Sequence, residues 1–129
     1  MTAKIVDQIP GTIATLGNAA YLSGTAEQYA NCYDPTWGRF KWRTYPTPGD
    51  HDYGTRAAGP YFAYFGAAAG EPGKGYYSYD LGSWHILVLN SNCARVGGCG
   101  PGTAQELWLK ADLAAHPDSC IRAYGHHPL

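Results

Sequence analysis

Charge is scarce in this chain. Charged side chains make up 15% of the 129 residues, and nine basic against ten acidic ones leave a formal net charge of −1. So small a net charge creates no long-range field to draw in nucleic acid or an anionic membrane surface, and neither is expected as a partner. Long hydrophobic runs are missing as well. The longest, Ile86 to Leu89, is strand-sized and far below the roughly 20 residues that a membrane span needs. The opening MTAKIVDQIPGT has no basic start, apolar middle or small-residue cleavage site, so no export signal is legible in it. Neither an internal repeat nor a low-complexity segment occurs. What the chain does have is 45% hydrophobic residues, 17 glycines and 9 prolines. That composition excludes disorder and predicts a single domain, 1–129, long enough to bury a core.

The four cysteines point away from a reducing compartment. Cys93 and Cys99 bracket the short loop ARVGG, a spacing that suits a disulfide and is unlike the paired CxxC arrangement of a zinc site. Cys32 and Cys120 are open to pairing, which the sequence does not decide. A secreted or periplasmic location fits this usage.

Along the chain, glycine and proline punctuate short elements. Ile5, Val6 and Ile9 line one side of a short helix ended by Pro10-Gly11, and TIATLG reads as a buried strand running into a glycine turn. Thr25 with Gln28 three residues on forms a capping box for a second helix, followed by a turn at DPTWGRF. Pro46 and Pro48 make RTYPTPG extended, and GPYFAYFG is a short aromatic helix or turn on the core. GYYSYDLGSWHILVLNS alternates and turns like a hairpin. TAQELWLKADLAAH is a helix capped by Thr103 and Glu106, with Leu107, Leu109, Leu113 and Ala114 facing the core. A strand from Cys120 then stops on two histidines. Alternating helices and strands define an α/β class with a mixed sheet flanked by helices.

Three polar groups follow predicted strands: Gly17-Asn18, Asp50-His51-Asp52 and His126-His127. Ligands of open α/β sheets bind outside the carboxyl ends of strands, so convergence of these endings on one edge would make a site. Asn18, Asp50 and His126 together suit a divalent Zn, Mn or Fe ion, which polarises phosphoryl oxygens. Each group also has a plainer reading: Asn18 as a turn residue, Asp50 and Asp52 as a solvated acidic turn, His126-His127 as incidental. His85, mid-strand among apolar residues, reads as a satisfied structural histidine.

Taken together, LGNAAY, CYDPTWGRFKWRTYPTPGDHDYGT, GKGYYSYDLGSWHILVLNSNC and AYGHHPL resemble the calcineurin-like metallophosphoesterases, in the bacterial branch similar to purple acid phosphatases. The resemblance covers nearly the whole chain. It implies roughly the first half of that family's αββα sandwich, and a phosphoesterase whose metal ligands are Asn18, Asp50 and His126. His51, Asp52 and His127 fall on the catalytic positions, with His51 contacting phosphate and protonating the leaving group. Two departures stand out. Asn18 occupies the family's bridging aspartate position and Asp50 its asparagine, and the first and last metal-ligand blocks have no counterpart. One metal per chain is therefore expected, with an inner sheet face that a homodimer would cover. A second expectation, of a different class, is a catalytically silent module that uses Trp37, Trp42, Tyr45, Tyr76 and Tyr77 to bind a glycan or a protein.

Overall fold

In the computed structural model, which describes residues 2–128, a parallel pair and a three-stranded mixed sheet are linked by helical segments. The chain opens with helix α1 (Thr2–Val6) and strand β1 (Ile13–Thr15). Thr25 then caps helix α2 (Ala26–Gln28), and both halves of the expected capping box form. Helix α3 (Asp34–Trp37) and a 3-10 segment, Gly38–Arg43, lead into strand β2 (Thr44–Pro46). β2 pairs in parallel with β1, Ile13 opposite Thr44 and Thr15 opposite Pro46. Helix α4 (Gly59–Phe65) follows.

Strands β3 (Tyr77–Leu81) and β4 (Trp84–Val88) make the expected antiparallel hairpin around Gly82-Ser83. Helix α5 (Ala104–Ala115) is the crossover that returns the chain to strand β5 (Cys120–Tyr124), parallel to β4. A parallel neighbour requires such a crossover, because a tight turn can only reverse the chain. The fold is thus α/β with a mixed sheet and helices, as the alternation of elements implies.

The core is aromatic. Tyr29, Tyr33, Tyr61, Phe62 and Phe65 pack with Ala20, Ala58 and Ala69, and edge-to-face pairs such as Tyr33 with Phe65 dominate the contacts. Rings of this size bury much area per residue, which lets a short chain build a core from few side chains. The parallel pair is tied to the other sheet by Tyr45 stacking on Tyr79 at 3.8 Å. Tyr124 and Tyr77 also donate their hydroxyls to the carbonyls of Tyr45 and Pro46.

Several local expectations fail for identifiable reasons. α1 ends at Val6, and Ile5 and Ile9 face solvent. β1 is half-exposed rather than buried, since only β2 pairs with it. DPTWGRF is helical, not a turn: it continues the helical run from Ala26 through a π-helical segment, Tyr29–Tyr33, that runs directly into Asp34-Pro35. At α5 the capping box does not form. The Thr103 hydroxyl donates to the Gly100 carbonyl, while the Glu106 carboxylate accepts from the Gly102 N–H and pairs with Lys110. Nor do Leu107, Leu113 and Ala114 face the core: Leu107 is 57% exposed, Leu109 is only half-buried, and the fully buried residue of the helix is Gln105. Cys93 and Cys99 form a disulfide, whereas Cys32 and Cys120 are both free and exposed. No helix among the described residues is long and apolar enough to cross a membrane.

Candidate functional site

β1 and β2 run in parallel, so their carboxyl ends lie side by side, and the chain leaves each through glycine. Gly17 (φ 89°) and Asn18 (φ 55°) are both left-handed. That turns the Asn18 main chain against Gly49. A Cβ on Gly17 would lie 2.6 Å from His126 Nδ1 and 2.7 Å from Gly49 N, and one on Gly49 would overlap Asn18 Oδ1. Only two facing glycines allow this approach. The parallel pairing of β4 and β5 brings the third ending, His126-His127, to the same edge.

The strand endings meet there. Asn18 Nδ2 donates to Asp50 Oδ1 at 3.0 Å, and His126 Nε2 lies 3.1 Å from the same oxygen. One ligand atom from each of Asp50, His126 and His127 falls within 4.8 Å of the others. The hydrogen bond from Asn18 holds the Asp50 carboxyl below its ordinary pKa, with a smaller contribution from His126, so it is ionised at neutral pH. His126 Nδ1 is 2.6 Å from the Leu16 carbonyl. A carbonyl oxygen only accepts, so Nδ1 carries a proton and the lone pair of a neutral ring sits on Nε2, aimed at a carboxylate. Two acceptors 3.1 Å apart require a cation between them, either a proton or a metal ion. His127 Nδ1 is 2.8 Å from Ser91 Oγ, which also accepts the His127 N–H at 3.0 Å. With Nδ1–H donating to Ser91, His127 Nε2 is free to ligate. A carboxylate and two imidazoles form a donor set that suits zinc, manganese or iron.

The remaining residues take different places from those expected. Asn18 does not offer its oxygen to the cluster: Oδ1 accepts the His51 N–H at 3.0 Å and the NH2 group faces Asp50. A backbone N–H can only donate and a carboxylate can only accept, which fixes the amide this way round. Asn18 thus turns its NH2 group towards Asp50, and the side chains grouped with Asp50 and His126 include that of His127. Asp52 is fully buried beneath the turn, out of reach of a substrate. Its oxygens accept from the N–H groups of Asn18 and Gly49 and from the Tyr29 hydroxyl at 2.6 Å. Burial pushes its carboxyl up, and those three hydrogen bonds oppose the shift. His51 stands at the rim, its Nδ1 donating to the Leu22 carbonyl at 2.5 Å and its ring 4.7 Å from that of Tyr21. Its Nε2 remains available. Beside the cluster, a cleft of about 340 Å³ is lined by Leu89, Ser91, Gly125, His127 and Pro128.

Ser91, Tyr29 and Gln105 were not legible as site residues. Ser91 follows β4 and obeys the same strand-end rule, which is the signal that could have found it. Gln105 holds the end of β4 in place: its side chain accepts the Asn90 N–H at 2.8 Å and donates to the Asn90 carbonyl at 3.1 Å. Comparison with known protein families, with curated proteins and with solved structures finds no match to this chain.

Proposed function

We propose that this chain is a metallophosphoesterase-like protein that hydrolyses phosphate esters with one divalent cation, Zn, Mn or Fe, held by Asp50, His126 and His127. The observation that carries this reading is the His126–Asp50 contact, in which a lone pair and an ionised carboxylate converge with His127 beside them. A cation bound there supplies Lewis acidity to a phosphoryl oxygen. The protein's own part is positioning and proton transfer. Asn18 orients Asp50 and, through the His51 N–H, the turn that carries His51. With Nδ1–H anchored on Leu22, His51 presents Nε2 at the rim; as water attacks phosphorus and the P–O bond to the alcohol breaks, the imidazolium form of His51 would hand its Nε2 proton to the departing alkoxide. The cleft beside His127 receives the organic part of the ester. Turnover of chromogenic phosphate mono- and diesters with added Mn, Zn or Fe is expected, and His126→Ala abolishes it. Absence of metal-dependent turnover, or turnover indifferent to that substitution, would overturn the reading.

The binding-module alternative now rests on a single ring. Trp37 packs on Phe40, Tyr45 on Tyr79 and Tyr76 on Trp108, and the Tyr77 hydroxyl is taken by Pro46. Of these five, Trp42, 83% exposed beside Arg39 and Arg43, is the ring left open to a sugar. A glycan isotherm lost on Trp42→Ala would support it; no binding by the wild type would remove it.

A further inference from the structure

A second set of ligating side chains lies away from the strand ends, where α5 crosses the β3–β4 hairpin. Asp80 and His85 are cross-strand partners, and His85 Nδ1 lies 2.7 Å from Asp80 Oδ1. On the other side of the ring, Nε2 lies 2.6 Å from Asp112 Oδ2 of α5. His116, one turn beyond Asp112, stacks on His85 with centroids 3.6 Å apart. Its Nδ1 donates to the Asp112 carbonyl at 2.7 Å, which leaves Nε2 as its free lone pair. His85 is only 2% exposed. One ligand atom from each of Asp80, His85 and His116 falls within 4.8 Å of the others.

Asp112 is committed at both oxygens. Oδ1 accepts the Ser78 hydroxyl at 2.7 Å, and Oδ2 accepts the His85 Nε2–H. A carboxylate behind one ring nitrogen is the arrangement that fixes the tautomer of a metal-bound histidine and strengthens its donor atom. At 2.7 Å a proton stands between His85 Nδ1 and the exposed Asp80 carboxylate, and it occupies the position a metal ion would take.

We propose that Asp80, His85 and His116 form a second, zinc-type site that pins α5 to the hairpin. The cation replaces the proton between His85 Nδ1 and Asp80 Oδ1, and that proton is released to solvent. Two stacked rings cannot aim their lone pairs at one point, so the half-buried His116 turns out of the stack, whereas His85, gripped from both sides, keeps its orientation. One oxygen and two nitrogens leave a fourth position of a tetrahedral zinc for water.

The test is made in full-length protein carrying His126→Ala and His127→Ala, so that the strand-end cluster is removed and phosphoesterase activity plays no part in the readout. Titration with Co(II) is expected to give one bound equivalent with the strong visible band of a four-coordinate centre. Adding Asp112→Asn is expected to weaken the affinity about 10- to 100-fold, and adding His116→Ala to remove the band. Asp80→Asn, at an exposed position, serves as a second ligand variant if His116→Ala disturbs the fold by circular dichroism. No cobalt bound in the starting protein, or a band insensitive to all three additions, would overturn the proposal.

Discussion

Asp50 and Asp52 are two residues apart and do opposite work. Asp50 is exposed, with its carboxylate at the cluster, and Asp52 is a buried acceptor for three donors. Asp50→Asn is therefore expected to remove metal binding at the strand ends and leave the denaturation midpoint unchanged. Asp52→Ala leaves two backbone N–H groups and the Tyr29 hydroxyl without a partner, and is expected to cost about 3–5 kcal/mol in urea denaturation. Equal loss of stability from both would contradict this division. The tyrosine core offers a change in the other direction. The Tyr61 hydroxyl is buried and meets no hydrogen-bond partner among the described residues, and burial holds its pKa well above the ordinary value. Tyr61→Phe removes that unpaired group and keeps the ring, so the folded state should gain about 1 kcal/mol. A lower midpoint would show that the hydroxyl is satisfied after all.

The N-terminal element is held by arginines rather than by its own isoleucines. Arg39 makes a forked contact with Asp7 through bonds of 2.8 Å, and Arg43 donates to the carbonyls of Val6, Ile9 and Gly11. The hydrogen bond from Arg39 lowers the Asp7 pKa below 3.8. A depressed carboxyl adds stability above its unfolded pKa and loses it as pH falls through the folded one. The small thermal advantage of wild type over Asp7→Asn should thus be complete at neutral pH, begin to fall only below about pH 3.8, and vanish once the pH is below the depressed folded pKa; an advantage independent of pH would show that the charge is not responsible. This element also shows where sequence patterns stop being informative. Apolar spacing suggested that Ile5, Ile9, Leu107 and Leu113 face inward, yet they are exposed, because periodicity marks a face and says nothing about whether a partner covers it. Glycine and proline punctuation was more telling, since it reflects backbone sterics. It located the hairpin, β2 and all three strand endings that meet at the cluster. The carbonyls of Leu16 and Leu22, which orient His126 and His51, carry no side-chain signature and could not be read.

Across the whole molecule, the helices and the two sheets supply rigid ends, and the chemistry hangs from the loops that leave them. Those loops are far apart in the chain. Leu16 and His126 are separated by 110 positions, Asp50 and His126 by 76, and Ser91 and His127 by 36. Contacts of such long range are the slowest to close, because the chain between them must be ordered first. β5 can dock beside β4 only after α5 has crossed over. Cation uptake at the strand ends should accordingly trail the burial of the tyrosine core in stopped-flow refolding, and uptake ahead of the tyrosine fluorescence change would refute that order. In kinetic terms the histidine pair is a latch expected to close last, and a cation held at the strand ends as proposed would count the chains whose final strand has reached its place.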